Sequence, residues 1–354
     1  MRIILQTIYL IVHLAALGIF AAALSALYVH PAAEWWPQIL GIGLPPLVVI
    51  MLLFAVADLV MRRWFLFAIT LIGVLFFAGR YASALTRDFE EGGTPVLVVT
   101  FNSGGMDVGE RDRAAIAPLL LDVQPDLMCI QELGLGYRGP EERPHEVLRP
   151  IADSLGYVII APEKLPDYRD PPPIISRFDV RDVSVIGLST RRDTGPAGAV
   201  VRAVFDIEGA EFAVYNVHLQ SFTTYRPWTR GELFSPRAWI QFIRWTRSAF
   251  LQRSSEAEEI RALIEKENRP VLVCGDFNTT PHQFTYRQLA DDLRDAFRTQ
   301  GGLWGPTYPA EFPLVRIDYI LTSHHWLVDD VEVGPKLPPD HRPVIARLRL
   351  KADR

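Results

Sequence analysis

The sequence contains little cysteine: there are two residues in 354, Cys129 and Cys274. Each lies near the end of a short apolar run, 127–130 and 270–274. Two isolated thiols mark neither a disulfide framework nor a cysteine-rich metal site. We therefore interpret both as buried free thiols, which behave as small apolar side chains.

Charged residues are scarce in the first 93 positions. Five basic and five acidic side chains cancel there, so the net charge of −5 belongs to the rest of the chain. An acidic region of this kind disfavours tight, sequence-independent binding of duplex nucleic acid, because such binding depends on neutralising phosphates. Hydrophobic residues make up 49% of the chain, mean hydropathy is +0.13, and the apolar excess lies in the N-terminal part.

Three long stretches of this N-terminal part are almost free of charge. Residues 3–29 have no charged side chain, residues 36–60 have only Asp58, and residues 64–79 are closed by Arg80. About 20 apolar residues are needed to cross a membrane, and the third stretch reaches that length only with the residues after Arg80. The first is too long for a signal-peptide core and is followed by two more. We predict three transmembrane helices within 1–86, a linker over 87–93 and a separate domain over 94–354.

The basic residues of the loops predict an orientation. Arg62 and Arg63 lie between the second and third stretches, whereas the loop over residues 30–36 has no Lys or Arg. By the positive-inside rule the arginine pair is cytoplasmic, so the third helix leads outward and the domain is extracytoplasmic. The chain would be an integral protein of a bacterial inner membrane. A re-entrant third segment would reverse this orientation.

Six short motifs follow, and in most of them a polar residue comes where an apolar strand ends. The most informative is Gly275-Asp276-Phe277-Asn278, which places a carboxylate and a carboxamide two residues apart directly after an apolar run. On its own this pair also suits a purely conformational turn. The other five are Asn102 after 96–101, Gln131-Glu132 after 127–130, Asn216-Val217-His218 after 212–215, Asp318 within 316–321, and Asp340-His341 before a final apolar strand.

In this order the six motifs resemble those of the endonuclease/exonuclease/phosphatase superfamily, which includes pancreatic-type DNases, AP endonucleases, inositol polyphosphate phosphatases and neutral sphingomyelinases. The resemblance covers roughly residues 94–350. It implies an α/β fold, a four-layer α-β-β-α sandwich of two mixed sheets (DNase I-like), here preceded by an all-α transmembrane segment of three helices. It also implies a hydrolase that uses Mg²⁺, or Mn²⁺ in its place, and water to cleave phosphoester bonds.

The resemblance also implies which residues hold the metal and the substrate oxygens. Glu132 matches the principal metal ligand, and a carboxylate at a strand end suits a hard cation such as Mg²⁺. Asp340 matches a further acid beside the metal. Asn102 matches a residue that contacts metal-bound or phosphate oxygen, and Asn216 would support the same oxygens.

The remaining motif residues match the catalytic groups of the superfamily. Asp276 matches the base that activates the attacking water, and Asn278 matches a donor that orients the phosphate. His218 and His341 match ligands of the scissile phosphate. Asp318 matches the acid that keeps His341 in its productive form, as carboxylate–imidazole pairs do.

Two positions depart from the family's pattern. Pro339 precedes Asp340-His341 where a small residue is usual, and proline lacks the amide N–H that could donate to substrate. Residues 171–173 are prolines where the strand over 174–177 usually begins with glycines. This second departure concerns the local loop rather than the chemistry.

Residues 222–253 form an insertion rich in aromatic and arginine side chains. One face of a helix would collect Trp239, Phe242, Ile243, Thr246 and Phe250. The segment is either a helix packed on the domain or a basic, aromatic interfacial helix that rests on lipid headgroups. The second interpretation would bring a lipid or membrane-proximal phosphoester to the metal.

The leading hypothesis is therefore a membrane-anchored hydrolase of a lipid or membrane-proximal phosphoester, with no protein partner predicted. A DNase-type nuclease and an inositol phosphate phosphatase are alternatives, and the acidic domain disfavours the first. A non-catalytic binding module ranks below these, because every expected motif position is filled. A transporter is disfavoured, since Asp58 is the single charged residue inside the apolar stretches.

Overall fold

A computed structural model describes residues 2–80, 91–104, 116–133, 148–163, 165–189, 197–222, 226–302, 305–338 and 340–351. Most of the predicted linker over 87–93 lies outside these described residues, as does Pro339. The described chain forms an N-terminal helical bundle followed by a two-sheet domain.

The N-terminal bundle consists of α1 (Arg2–Ser25), α2 (Pro37–Ile42), α3 (Leu44–Val60) and α4 (Trp64–Gly79). Within the described chain, only α1 is long and apolar enough to cross a membrane, and a signal sequence meets the same criteria. The prediction of three spans is therefore corrected to one candidate. With 17 and 16 residues, α3 and α4 extend about 26 Å and 24 Å, which is short of a hydrocarbon core of ~30 Å.

The second predicted span is interrupted at Gly43, between α2 and α3. Pro45 and Pro46 have no backbone N–H to donate, which is tolerated in the first turn of a helix but not in its interior. A new helix therefore begins here. Gln38 and Gly41 of α2 are buried, so the first part of this stretch packs inside the protein.

Two six-stranded mixed sheets form the domain. The first sheet contains β1 (Thr94–Asn102), β2 (Leu127–Gln131), β3 (Val158–Ile160), β4 (Ile174–Ser176), β11 (Trp326–Val333) and β12 (Val344–Leu350), in the spatial order β11-β12-β1-β2-β4-β3. The second contains β5 (Asp179–Gly187), β6 (Ala199–Ile207), β7 (Ala210–His218), β8 (Val271–Asp276), β9 (Arg294–Asp295) and β10 (Asp318–Thr322), in the order β5-β6-β7-β8-β10-β9.

Three apolar cores join these sheets to each other and to the helices α5 (Arg149–Ser154), α6 (Pro236–Ile264) and α7 (Phe284–Ala290). The central core packs Val98 and Leu127 of the first sheet with Phe205 and Phe212 of the second. Two further cores cover the outer faces of the sheets, one with α6 and α7 and the other with α5 and residues 116–123. The predicted four-layer α-β-β-α sandwich is confirmed.

Two parallel strand pairs determine where the polar motifs meet. β1 runs parallel to β2 with Asn102 opposite Gln131, and β7 runs parallel to β8 with His218 opposite Asp276. Hydrogen bonds join the sheets at these strand ends. Asn102 Nδ2 donates to Asp276 Oδ2 at 2.9 Å, and Gln131 Nε2 donates to Asn216 Oδ1 at 2.7 Å. The carboxyl ends of the four strands therefore form one site.

Candidate active site

Gly275 allows Asp276 to lie beside His218. Its φ is 149°, and a Cβ at this position would lie 1.8 Å from the carbonyl oxygen of Val217 on the neighbouring strand. Any side chain would therefore push the two parallel strands apart. With glycine in place, His218 Nε2 lies 3.9 Å from Asp276 Oδ2.

Asp276 is a buried carboxylate fixed by three donors. Its Oδ1 accepts from the backbone N–H of Asn278 at 2.7 Å, and its Oδ2 accepts from the side-chain amides of Asn102 at 2.9 Å and Asn278 at 3.2 Å. Burial and the nearby charge of Asp318 raise the pKa of Asp276 to about 6, against the opposing effect of the adjacent imidazoles. A fixed carboxylate with a pKa near neutrality suits a general base.

His341 is paired with Asp318. Its Nδ1 lies 2.9 Å from Asp318 Oδ2, which also accepts a hydrogen bond from Thr307 Oγ1 at 2.5 Å. Burial alone would lower the pKa of His341, but the charges of Asp318 and Asp276 outweigh it and raise this pKa to about 10. The imidazole is a cation at neutral pH, with Nε2 3.8 Å from Asp276 Oδ2. Such a fixed cation is suited to hold a phosphate oxygen.

Glu132 and His218 form a second pair at the site. Glu132 Oε1 lies 3.2 Å from His218 Nε2. Burial alone would raise the pKa of Glu132, but the close contact with His218, its charge, and the effects of Asn102 and His341 lower it to about 2. His218 Nε2 is buried and has no well-aligned hydrogen bond among the described residues, so it retains capacity for an added ligand.

Asn278 stabilises the turn over residues 276–283, here named the catalytic turn. Its φ of 49° is left-handed, a conformation that asparagine adopts more readily than most residues. Its Nδ2 donates to Leu219 O at 3.1 Å and to Asp276 Oδ2 at 3.2 Å, and its carbonyl oxygen accepts from Arg253. The donor role toward phosphate remains a prediction, and it would require this amide to exchange one of these partners.

Asn216 is engaged inside the protein, and its expected role toward the substrate oxygens remains a prediction. This side chain is fully buried, and its Nδ2 lies 2.9–3.2 Å from the carbonyl oxygens of Ile130, Pro172 and Pro173. Its Oδ1 accepts from Gln131. All its polar atoms are engaged inside the protein, so Asn216 supports the site indirectly by joining β7 to β2 and the proline loop.

The predicted metal ligands Glu132, Asn102 and Asp340 remain predictions. Asp340 lies beside His341, with its Oδ1 4.0 Å from Nε2, and its side chain is 57% exposed. Among the described residues, the ionisable group close enough to hold a cation is Asp276, Asp318 and His341, with ligand atoms within 4.8 Å of one another. Because Asp318 and His341 already bond to each other, this group offers a cation fewer ligand atoms than its composition suggests.

A divalent cation fits better at Glu132 and Asn102. Glu132 is ionised at neutral pH and 21% exposed at its side chain, and Mg²⁺ and Mn²⁺ prefer oxygen ligands of this kind. Asn102 Oδ1 accepts one hydrogen bond from Gly104 N at 2.8 Å, which leaves a second lone pair. His218 Nε2 lies 3.2 Å from Glu132 Oε1, which suits it to donate to a phosphate oxygen beside that carboxylate.

A cleft opens beside Glu132 and His218. It is also lined by Leu133, Arg169, Asp170, Pro171, Pro172, Pro173 and Ala199. The three prolines are those that replace the family's glycines. They give the cleft a wall with restricted backbone freedom.

Three residues of the site were not predicted as such. Thr307 bonds Asp318, Gln131 joins the two sheets, and the fully buried Arg253 donates to the Asn278 carbonyl. Arg253 was grouped with arginines expected at a surface. Its position three residues after Phe250 places it on the apolar face of α6, which is the signal that could have identified it.

Comparisons with known proteins agree with this geometry. The profile of the endonuclease/exonuclease/phosphatase family matches residues 99–344, whereas curated proteins yield no match. A family protein from Bacteroides thetaiotaomicron is similar in structure, with a TM-score of 0.53 and 19% identity over 75% of this chain and 98% of that one. A relative from Bacteroides vulgatus has a TM-score of 0.50 and 21% identity over 73% of this chain and 100% of that one. A relative from Leptotrichia buccalis has a TM-score of 0.51 and 16% identity over 72% of this chain and 100% of that one.

Two facing mixed sheets, with acids and imidazoles collected where their strands end, define the DNase I-like class of fold. The chain belongs to the endonuclease/exonuclease/phosphatase family, a family of hydrolases that act on phosphoester bonds.

Proposed function

We propose that this chain is a membrane-anchored, divalent-metal-dependent phosphoester hydrolase whose substrate is a lipid or another phosphoester at a membrane surface. The observation that best supports a hydrolase activity is the buried carboxylate of Asp276. Its Oδ2 lies 3.9 Å from His218 Nε2 and 3.8 Å from His341 Nε2. A base and two phosphate-binding imidazoles are thereby in one place.

In the proposed reaction Asp276 accepts a proton from the attacking water, since its raised pKa lets it take up a proton near neutral pH. His341, kept cationic by Asp318, donates a hydrogen bond from Nε2 to a phosphate oxygen. His218 Nε2, which lies 3.2 Å from Glu132 Oε1, donates a hydrogen bond to a second oxygen. A divalent cation held by Glu132 and Asn102 would supply further charge compensation to the phosphate.

The hydrolase is tested with the full chain and a panel of substrates: phospholipids and sphingomyelin in vesicles, inositol phosphates, and plasmid DNA. We expect Asp276→Asn to lower kcat by ~10²–10⁴, while the exposed acid Asp330, mutated to Asn, serves as the control for loss of a charge. Chelation should abolish turnover, and Glu132→Gln should weaken Mn²⁺ binding measured by calorimetry. Full activity of Asp276→Asn would contradict the mechanism.

An exposed aromatic–basic surface on and before the first half of α6 favours a lipid substrate. Its members are solvent-exposed: Trp228, Phe234, Ile240, Ile243, Arg226, Arg230, Arg237, Arg244 and Arg247. Phe234 is 94% exposed. Bulky apolar groups among arginines are typical of helices that rest on anionic headgroups. Later residues of α6, among them Ala249, Phe250, Ala257 and Ile260, are buried in the domain, so the proposed contact with headgroups is confined to the exposed residues before them.

The contacts of the bundle support the proposed orientation. His30 Nε2, just after α1, lies 2.9 Å from Glu258 Oε1, and Arg80, just after α4, donates to Pro281 O at 2.7 Å. Both helices therefore end at the domain, and the Arg62–Arg63 turn lies at the other end of α3 and α4. With α1 as the candidate span, the arginine pair lies at the end of the bundle away from the domain, which by the positive-inside rule favours an extracytoplasmic domain at a bacterial inner membrane.

The lipid substrate is tested in vesicles of phosphatidylethanolamine and phosphatidylglycerol. We expect Phe234→Ser combined with Ile240→Ser to lower turnover of vesicle lipid at least fivefold and to leave hydrolysis of soluble bis(p-nitrophenyl) phosphate unchanged. Phe312, which is 71% exposed elsewhere, provides the matched control Phe312→Ser. Equal loss on both substrates would contradict a membrane-contacting role. Cleavage of DNA or inositol phosphates alone would favour the corresponding alternative.

A further inference from the structure

The turn that follows Asp276 is covered by the N-terminal bundle rather than by solvent. Thr279, Thr280 and His282 are all buried within it. The bundle reaches the turn through Gly41 of α2, where a Cβ would lie 3.1 Å from the His282 carbonyl oxygen and 2.9 Å from Ala26 Cβ. The absence of a side chain at this position permits the close contact.

The side chain of Gln283 connects this turn to the bundle. Its Oε1 accepts from Thr280 N at 2.7 Å and from Thr279 Oγ1 at 3.1 Å. Its Nε2 donates to the backbone carbonyl of Gln38 in α2 at 2.9 Å. The acceptor half of this amide therefore stabilises the catalytic turn, and the donor half attaches it to the bundle.

The side chain of Gln38 continues the connection. Its Nε2 donates to Ala26 O at 2.8 Å and Val29 O at 3.0 Å, at the end of α1, and its Oε1 accepts from Phe284 N at 3.1 Å. Gln38 and Gln283 are each 1% exposed. A buried amide is costly when unpaired, so these fully paired glutamines form a specific connection.

We propose that the N-terminal bundle is part of the active-site scaffold, and that Gln38 and Gln283 are positioning residues that hold the turn over 276–283. The inference rests on the proposed function, in which Asp276 is the base. The turn carries Asn278, whose backbone and side-chain amides orient the Asp276 carboxylate. Since a displacement of about 1 Å can cost on the order of 100-fold in rate, loosening this turn should lower turnover. The bundle would then serve as more than a tether.

Two variants of the full chain test this path. Gln283→Glu keeps an acceptor for Thr279 and Thr280, loses the donor to the Gln38 carbonyl, and places a carboxylate oxygen against that carbonyl. Gln38→Ala removes the acceptor for Phe284 N and the side-chain donor to Ala26 O and Val29 O, and it keeps the backbone carbonyl that accepts from Gln283. We expect each to lower kcat at least tenfold with KM changed less than twofold, and to shift the acid limb of the pH profile, which reports Asp276.

A contact elsewhere in the same interface supplies the control. Among the described residues, His30 hydrogen-bonds Glu258 and Ser254 of α6 rather than the turn over residues 276–283. His30→Ala should therefore keep kcat within twofold while removing a comparable contact. If the glutamine variants also keep the kcat and the acid limb of the wild type, the positioning role of Gln38 and Gln283 is wrong and the hydrolase function stands.

Amide hydrogen exchange gives a second readout that does not depend on activity. In the full chain, we expect Gln283→Glu and Gln38→Ala to accelerate exchange in peptides covering residues 276–284, with β7 and β12 unchanged. If the wild type hydrolyses none of the panel, the proposed function fails. Hydrogen exchange alone then tests whether Gln38 and Gln283 hold the turn over residues 276–283. Unchanged exchange in both variants would overturn this role.

Discussion

Two buried aspartate–histidine pairs lie in different regions of this molecule. In the bundle, Asp58 Oδ2 lies 3.3 Å from His13 Nδ1, and both side chains are fully buried. In the domain, Asp318 Oδ2 lies 2.9 Å from His341 Nδ1, with side-chain exposures of 0% and 7%. The residue types are the same, and the surroundings differ.

The pair in the bundle is surrounded by neutral partners. Tyr9 donates its hydroxyl to Asp58 Oδ1 at 2.7 Å, and His13 Nε2 lies 3.0 Å from Thr70 Oγ1. The pair therefore joins α1, α3 and α4 inside an apolar environment. Polar groups in such a position fix how helices pack.

In the domain pair, the second ring nitrogen of His341 faces other acidic side chains of the site. His341 Nε2 lies 3.8 Å from Asp276 Oδ2 and 4.0 Å from the exposed Asp340. A second carboxylate faces the imidazole where the bundle pair has a threonine. An aspartate–histidine pair is thus suited to structure or to chemistry according to what the free ring nitrogen faces.

The largest effect is expected from removing the acid of the domain pair. Asp318→Asn takes away the main charge that keeps His341 cationic, so kcat should fall by ~10²–10³. The alkaline limb of the pH profile should move toward neutral, because the pKa of His341 falls. The equivalent change in the bundle, Asp58→Asn, should leave kcat within threefold, and an equal loss would remove the distinction between the pairs.

The pH profile of the wild type is the next test. Asp276 must be ionised to accept a proton, so kcat/KM should fall about tenfold per pH unit below about 6. His341 must be protonated to donate, so activity should fall again as pH rises through about 10. A profile that rises steadily from pH 5 to 11 would contradict the assignment of these two groups.

A smaller effect should follow from breaking the bundle pair. Asp58→Leu leaves the partly buried Tyr9 hydroxyl without its acceptor and removes the carboxylate beside the buried His13 imidazole, which costs about 1–3 kcal/mol. We expect a lower melting temperature of the full chain in detergent, and Asp58→Asn should recover part of it because its amide oxygen still accepts. Equal melting temperatures for all three proteins would show that the pair does not hold the helices.

The smallest effect is expected at Thr307, whose hydroxyl supports Asp318. At nearly constant volume, Thr307→Val removes the hydrogen bond to Asp318 and the acceptor of the Ile317 N–H, each worth about 0.5–1.5 kcal/mol. The alkaline limb should shift slightly, with kcat reduced less than tenfold. Thr299, which bonds a backbone carbonyl away from the site, offers the control Thr299→Val.

The fold and the place of the site were predictable from sequence for a local reason. An apolar run followed by a polar residue marks the end of a buried strand, and Asn102, Glu132, His218 and Asp276 all follow that pattern. Asn216 and Asp340 lie in equally good motifs, yet one is fully buried and the other faces solvent beside His341. Motif position alone does not predict whether a side chain is buried in the protein or exposed to solvent.

By itself the sequence determined the order of the elements, the family, and the residue types available to the site, because these depend on local periodicity and turn chemistry. Only the tertiary structure decided that Gln38 meets Gln283, 245 positions apart, and that Arg253 is buried beneath the catalytic turn. It also decided that the first part of the second apolar stretch packs on the domain as α2. Long-range packing makes these choices, since the same apolar stretch can bury itself in lipid or in protein.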